Sequence, residues 1–218
     1  MYKHLAALAA AAVFLPCAAH AADPSYFDAR LSTLGLGIEY GANLSPNLDA
    51  RIVANGYNWD YKTTDSSGIH YTGKAKLGSV GAQLDYHFTE ASPFYLSAGI
   101  YANGNKILAT ANPTENTDIG NTPYTPEEIG MLHARAKYNG AAPYLGLGWR
   151  GNVGHVNLNA ELGAYFQGRP TVDLTSDGTL ADNTAYQAAL AIERQNLQND
   201  LKNTGTIPVI AFGVGYSF

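Results

Sequence analysis

The sequence is poor in cysteine and in charge. Its 218 residues include one Cys, and Asp, Glu, Lys and Arg together make up 14% of the chain, against about 25% in typical soluble domains. A single cysteine excludes an internal disulfide framework. The net charge of −5 gives no support for nucleic-acid binding, so no nucleic-acid partner is expected. No apolar run after residue 21 is long enough to form a spanning helix.

The N-terminus has the pattern of an export signal. Lys3 precedes an alanine-rich apolar run from Leu5 to Pro16, and Ala19-His20-Ala21 fits a small-residue cleavage site. We therefore predict a signal peptide over residues 1–21, cleaved near Ala21, and one mature domain over residues 22–218. Cleavage would remove Cys17 as well.

The mature chain shows period-two alternation of apolar and polar residues, which is typical of β-strands. The C-terminal run is the clearest, since Ile210, Phe212, Val214, Tyr216 and Phe218 fall on one face. Short and long connections alternate along the chain, as in outer-membrane barrels. Eight strands are predicted, at 25–32, 35–43, 48–61, 71–88, 94–105, 130–150, 155–174 and 206–218.

The predicted fold is therefore all-β: an eight-stranded antiparallel transmembrane β-barrel with one short helix in the last external loop. Thr184 and Gln187 have capping-box spacing at the start of that helix, which either covers the barrel mouth or shields loop hydrophobics. Thr33-Leu34-Gly35 is either a hairpin tip or a kink in one strand. The long stretch 130–150 is expected to contain a bulge at Gly140–Pro143. There the parity flips, which means that the inward-facing side chains change from odd-numbered to even-numbered residues.

Alternation alone fits both a membrane barrel and a soluble lipocalin-like barrel. Three features favour an outward apolar face: aromatic residues near predicted strand ends, a polar face with charges of both signs, and a terminal aromatic. Val214, Tyr216 and Phe218 are the predicted signal for the barrel-assembly machinery. On this assignment Leu84 and Leu96 face lipid. The aromatic residues assigned to the two ends are Tyr40, Tyr86, Phe88, Phe94, Trp149 and Phe218 at the short turns, and Tyr57, Trp59, Tyr61 and Tyr71 at the other.

Charged residues on the polar face are predicted to line the lumen. They form either a mutually neutralising network that packs the interior or a constriction that coordinates a charged solute. The candidate solute residues are Glu39, Arg51, Asp85, Arg135 and Glu161. The full inward ionisable set is Asp28, Arg30, Glu39, Asp49, Arg51, Asp85, His87, His133, Arg135, Lys137, Arg150 and Glu161.

No sequence pattern indicates catalysis. Nucleophile-elbow, zinc-protease and phosphate-loop motifs are missing, and the scattered histidines lack metal-ligand spacing. We therefore expect no enzymatic activity, catalytic residue, cofactor or metal. The expected partners are outer-membrane lipid, lipopolysaccharide and small solutes, and the expected state is a monomer.

Two segments resemble a known family. Ala142-Pro143-Tyr144-Leu145-Gly146-Leu147-Gly148 and the segment 161–175, ELGAYFQGRPTVDLT, are similar to the CarO-type ornithine-uptake porins of Gram-negative outer membranes, and more broadly to small OmpW- and OmpA-like barrels. The resemblance implies passive uptake of small cationic solutes such as ornithine. The alternative is a closed barrel with a structural, adhesin or receptor role through its external loops.

Overall fold

The computed structural model describes residues 25–64, 70–90 and 92–218. The predicted signal peptide, residues 1–21, lies outside the described residues. None of the described helices combines the length and apolar character needed to cross a membrane.

The described chain contains thirteen strands, two α-helices and one 3-10 helix at Leu201–Gly205. The strands are β1 Ser25–Ser32, β2 Gly35–Ser45, β3 Leu48–Thr64, β4 His70–His87, β5 Phe94–Asn103, β6 Lys106–Asn112, β7 Thr117–Ile119, β8 Thr122–Tyr124, β9 Leu132–Lys137, β10 Ala141–Val153, β11 Val156–Phe166, β12 Thr171–Ser176 and β13 Thr206–Ser217. The helices are α1 Pro126–Ile129 and α2 Thr184–Asp200.

Eight strands close into an antiparallel barrel in the order β1-β2-β3-β4-β5-β10-β11-β13, with β13 pairing back to β1. Closure pairs the backbone N–H and C=O groups that an open sheet edge would leave unsatisfied in hydrocarbon. The predicted fold class is confirmed. Thr33 and Leu34 form the turn between β1 and β2, so this segment is a hairpin tip.

Five strands form a raised sheet beyond the barrel on the side of the long connections: the outer parts of β3 and β4, with β6, β9 and β12. The outer part of β4 pairs with β6, β6 pairs with β9, and β9 pairs with β12. The predicted strands leave residues 106–129 as one long connection. The structure makes the segment 106–112 a strand, because the protruding edge of β4 supplies hydrogen-bonding partners.

The bulge predicted at Gly140–Pro143 is wrong. Ala136 in β9 and Ala142 in β10 are both buried and both even-numbered, so the inward-facing positions do not shift between the two strands. The pairings of β5 with β10 and of β6 with β9 follow one continuous register. The parity flip lies instead between β11 and β12, where Tyr165 and then Val172 are buried. Gly168 has φ +74° there, a conformation that glycine adopts without steric cost.

The outward face of the barrel is apolar, as predicted. Leu84 and Leu96 are exposed, and Tyr86, Phe88 and Phe94 surround the end with the short turns. An exposed apolar surface this continuous requires lipid around it. The barrel is therefore of the membrane-spanning kind.

The second aromatic girdle is not formed as predicted. Tyr57, Trp59 and Tyr61 are odd-numbered residues of β3, and the uninterrupted β3–β4 register places them on the same side as the inward-facing Arg51 and Val53. They are exposed because the β3–β4 hairpin rises beyond the short β1–β2 hairpin. The side chain of Tyr71 is not among those described.

Helix α2 covers a small external core. Its Tyr186 and Leu190 are buried against Ile119 and Ile129, so the helix does shield loop hydrophobics. The predicted cap at Thr184 is wrong by one residue. Asn183 is the N-cap, and its Oδ1 accepts hydrogen bonds from the backbone N–H groups of Ala185 and Tyr186.

The last residue of the chain gives a testable prediction. Phe218 is 64% exposed, so it contributes little to packing, and its proposed role is recognition during assembly. We expect Phe218→Ala to slow barrel assembly, measured by heat-modifiable gel mobility over time. Phe94→Ala, which alters another exposed aromatic, is the control and should assemble normally. Equal rates for both variants would count against the role of Phe218.

Candidate functional site: the charged barrel interior

The interior of the barrel is filled with paired charges at mid-height. Alternation places Arg30 on β1, Glu39 on β2, Arg51 on β3 and Glu161 on β11 inside, and all four are almost completely inaccessible to solvent. Buried charges persist only when they are paired and hydrogen-bonded. The pairing in this site is therefore its defining property.

The four residues form a closed ring of ion pairs. Arg30 donates from Nη1 to Glu39 Oε2 at 2.7 Å and from Nη2 to Glu161 Oε1 at 2.9 Å. Arg51 donates from Nη1 to Glu39 Oε2 at 3.1 Å and from Nη2 to Glu161 Oε2. Two guanidinium groups thus share two carboxylates, which fixes all four side chains across the lumen.

Further contacts hold this ring against the barrel wall. Arg51 Nη2 also donates to Ser97 Oγ at 3.2 Å, and Arg51 Nε lies 2.9 Å from Asp85 Oδ2, at an angle that provides charge attraction without a hydrogen bond. The Tyr144 hydroxyl donates to Glu161 Oε1, and the Tyr95 hydroxyl lies 3.3 Å from Glu161 Oε2.

A layer of tyrosines lies beside the ring on the side of the long connections. Tyr101 packs edge-to-face with Tyr144 and Tyr165, with ring centroids 6.0 and 5.3 Å apart. All three rings have at most 1% of their surface exposed. Together with the ion-pair ring they occlude the barrel axis in this conformation.

A second ion-pair cluster lies toward the short turns. Arg150 donates to Asp49 at 2.9 Å and to Asp85 at 3.3 Å, and its guanidinium lies 4.1 Å from the centroid of the Tyr26 ring. His87 Nε2 lies 3.1 Å from Asp49 Oδ2. A cavity of about 250 Å³ opens at this end of the barrel, and Tyr26, Asp49, His87 and Arg150 border it.

Asp28 is the buried carboxylate without a basic partner. It is completely buried, and its Oδ2 accepts a 2.6 Å hydrogen bond from Asn159 Nδ2, but it forms no ion pair with any described residue. It also pairs across strands with Glu39, a second acid. Its Oδ1 and both side-chain polar atoms of nearby Asn157 accept or donate no hydrogen bond within the described part of the chain.

Four of the five predicted solute residues meet inside the barrel: Glu39, Arg51, Asp85 and Glu161. Arg135 does not. It lies exposed on β9 of the raised sheet. The prediction needed a parity flip between β9 and β10, but the flip lies between β11 and β12, so the odd-numbered Arg135 faces outward. His133 and Lys137 are also exposed there rather than in the lumen. Among the predicted assembly residues, Val214 and Tyr216 face outward.

The site residues that the sequence analysis did not single out are mainly the interior tyrosines. Tyr95, Tyr101 and Tyr165 fall at inward positions of clearly alternating strands, which is the signal that could have identified them. Tyrosine is common on both faces of a membrane barrel, so its identity alone did not reveal them. Among the described residues, no group of three or more His, Cys, Asp or Glu could hold a metal ion.

Comparison with known proteins bears on the fold. The search against protein-family models and the search of curated protein sequences both give no match. The crystal structure of Acinetobacter baumannii CarO has 22% sequence identity and a TM-score of 0.58, and the alignment covers 88% of this chain and 97% of that one. A. baumannii CarO2 has 22% identity and a TM-score of 0.61, with 90% and 99% covered.

At this identity the likeness concerns the fold. It includes nearly the whole length of both CarO chains. The resemblance noted in residues 142–148 and 161–175 is thereby confirmed at the level of architecture. The chain has the fold of the CarO outer-membrane barrels.

Proposed function

We propose that the protein is an outer-membrane barrel that allows slow, passive uptake of small cationic solutes, such as ornithine-like basic amino acids, through a lumen that is closed at rest. The observation that carries this proposal is Asp28, a fully buried acid beside Glu39 that forms no ion pair with a described residue. Such an acid keeps its proton while no cation is near, and a solute ammonium group bound there would stabilise its ionised form.

The charge balance of the interior supports a cationic solute. The described lumen holds five carboxylates and three guanidinium groups, because Arg135 and Lys137 lie outside it. Four carboxylates exceed the three guanidinium groups even when Asp28 holds its proton, and a low-dielectric enclosure with excess negative charge attracts cations and repels anions. The carboxylates are Asp28, Glu39, Asp49, Asp85 and Glu161, and the guanidiniums are Arg30, Arg51 and Arg150.

Passage requires the ion-pair ring to open. A solute ammonium can take the place of one guanidinium at Glu39 or Glu161, so that a carboxylate exchanges one cation for another rather than losing its partner. This exchange avoids much of the cost of an unpaired buried charge. The vestibule beside Arg150 then provides an exit toward the short turns.

Planar-bilayer conductance tests the proposal. Arg51→Ala removes the residue that bridges Glu39, Asp85 and Glu161, so we expect it to produce frequent cation-preferring current steps where the wild type is mostly silent. Asp28→Asn in the Arg51→Ala background should reduce the cation preference several-fold. Arg169→Ala, an exposed residue of the β11–β12 connection, is the control.

Liposome swelling identifies the solute class. We expect ornithine and lysine to enter faster than glutamate of similar size, and the difference to shrink with Asp28→Asn. Equal rates for all three amino acids, or a silent bilayer for Arg51→Ala that is correctly inserted, would refute uptake through the lumen.

A second function, the closed barrel acting through its external part, is favoured by a different observation. Arg51 and the tyrosine layer leave no solvent-accessible surface at mid-height, while the external elements form their own core around Ile129 and Tyr186. A structural, adhesin or receptor role would use that ordered surface. Silence of every lumen variant, combined with loss of cell attachment on removing the external elements, would select it.

A further inference from the structure

Basic residues are concentrated on one face of the raised sheet. The registers of β3 with β4, β4 with β6, β6 with β9 and β9 with β12 are unbroken, and β3 to β10 keep the parity of the barrel. The face is therefore the outward one, continuous with the lipid-facing side. Among the described residues of these strands, Asp60 and Asp173 are the acids on this face. Its basic residues are Lys62, Lys74, Lys76, Lys106, Arg135 and Lys137, from a chain total of 13 Lys and Arg.

Three of these lysines form a row. Lys76 pairs with Lys106, and Lys106 pairs with Lys137, on adjacent strands. Strands are about 4.8 Å apart, and directly opposed like charges destabilise a sheet. None of the three forms an ion pair with a described residue, whereas Lys74 in the next row lies 3.2 Å from Asp60. The row is a repulsive arrangement that an anionic ligand would relieve.

An apolar groove of about 510 Å³ lies on the same face across β2 to β5, and it meets the lysine row at its Lys76 end. Small residues at Ala54, Gly56, Gly78 and Ala102 form its floor, and the exposed side chain of Ile38 borders it. Gly78 lies two residues from Lys76 along β4, or about 7 Å. The groove is part of the outward apolar belt, at its external edge.

We propose that the lysine row and the groove together form a binding site for a phosphate-bearing lipid of the outer leaflet, with lipopolysaccharide as the occupant. The ammonium groups of Lys76, Lys106 and Lys137 bind phosphate, and the groove receives an acyl chain. Charge complementarity and the depth of the site support this assignment, because the row stands where the apolar belt ends and headgroups begin. The inference rests on the membrane placement in the proposed function, and it does not depend on solute uptake.

The first test measures lipopolysaccharide binding to the full mature barrel in phosphatidylcholine nanodiscs. Replacing Lys76, Lys106 and Lys137 together with Gln should weaken binding about 100-fold, since each lysine near anionic lipid contributes roughly a 5-fold factor. The matched control is Arg194→Gln with Lys202→Gln, exposed positions in and after α2, which should leave binding unchanged. Binding within threefold of wild type in the triple variant would overturn the proposal.

The second test fills the groove. A Cβ atom at Gly78 would have no atom within 4 Å, so the first carbon of the Gly78→Phe side chain has room, and Gly78 lines the groove that the ring is designed to fill. We expect a roughly tenfold loss of lipopolysaccharide affinity with an unchanged thermal unfolding midpoint. Undiminished binding in this variant would remove the acyl-chain part of the proposal.

The source of the phosphate is resolved by competition. Inorganic phosphate at millimolar concentration should not displace the bound lipid, and phosphatidylglycerol should bind more weakly than lipopolysaccharide. Displacement by inorganic phosphate would show a simple anion site and refute a lipid site. When the three lysine substitutions are added to Arg51→Ala, lipid binding should be lost and the conductance should stay that of Arg51→Ala alone. That result would keep this inference separate from solute uptake.

Discussion

Glu161→Ala should destabilise the folded barrel by about 3–5 kcal/mol, the usual cost of removing one partner from a buried ion pair. Glu161 neutralises both Arg30 and Arg51 and accepts hydrogen bonds from Tyr95 and Tyr144. Its loss leaves two guanidinium groups sharing Glu39 and Asp85. Urea unfolding in lipid vesicles, followed by tryptophan fluorescence or gel mobility, measures the change.

Two variants define the cause of this effect. Glu161→Gln keeps the shape and an acceptor but not the charge, so its cost should be smaller than that of Glu161→Ala. Glu193→Ala, in the external helix α2, should change the free energy of unfolding by less than about 0.5 kcal/mol. A loss below about 1 kcal/mol for Glu161→Ala would mean that water or lipid compensates the arginines and that the ring is not a structural unit.

Arginine on the lipid-facing side should impair insertion according to depth. A lipid-facing Arg costs about 2–4 kcal/mol at the midplane of a barrel and about 0–1 kcal/mol near the interfaces. Leu96 pairs with Tyr86 in the aromatic girdle, and Leu84 pairs with Ala98 one outward row deeper. We expect the loss of folding free energy to increase from Leu96→Arg through Leu84→Arg to Ala82→Arg.

The control for this series is Thr72→Arg, on the same strand and the same face but beyond the apolar belt. It should insert like wild type, since it lies among basic residues of the raised sheet. The fraction of heat-modifiable, membrane-inserted barrel measures all four variants. Equal insertion of Ala82→Arg and Thr72→Arg would show that the outward assignment is wrong.

The barrel could be predicted closely from the sequence, because alternation is a local property of each strand. The facing of Leu84 follows from the same pattern, whereas Thr33-Leu34-Gly35 stayed open between a hairpin tip and a kink until the pairing of β1 with β2 was known. The external sheet could not be predicted in this way. Its β6 strand exists because β4 offers an unpaired edge, and such a partner is visible only when the strands are assembled in three dimensions.

The error over Arg135 has the same origin. The sequence analysis located one parity change in the chain by noticing glycine and proline at residues 140–143. Gly168-Arg169-Pro170 carries an equally strong signal, and only the register shows that this second segment interrupts the pattern. Among the interior charges, Asp28 was predicted to be inward, but its lack of a basic partner depends on where Arg30 and Arg51 direct their guanidinium groups.

The change of facing at Gly168 separates β12 and α2, which lie outside the barrel, from the eight strands that form the barrel wall. Removing one residue there would restore uniform alternation, rotating Val172 and Leu174 into water and Asp173 toward α2. The eight wall strands would keep every pairing, since β11 ends before this point and β13 begins after the helix. An exchange of residues 171–205 therefore keeps the wall pairings, but the replacement must again pair with β9 and cover Ile119 and Ile129. Variation within those limits changes the external surface without altering the barrel wall.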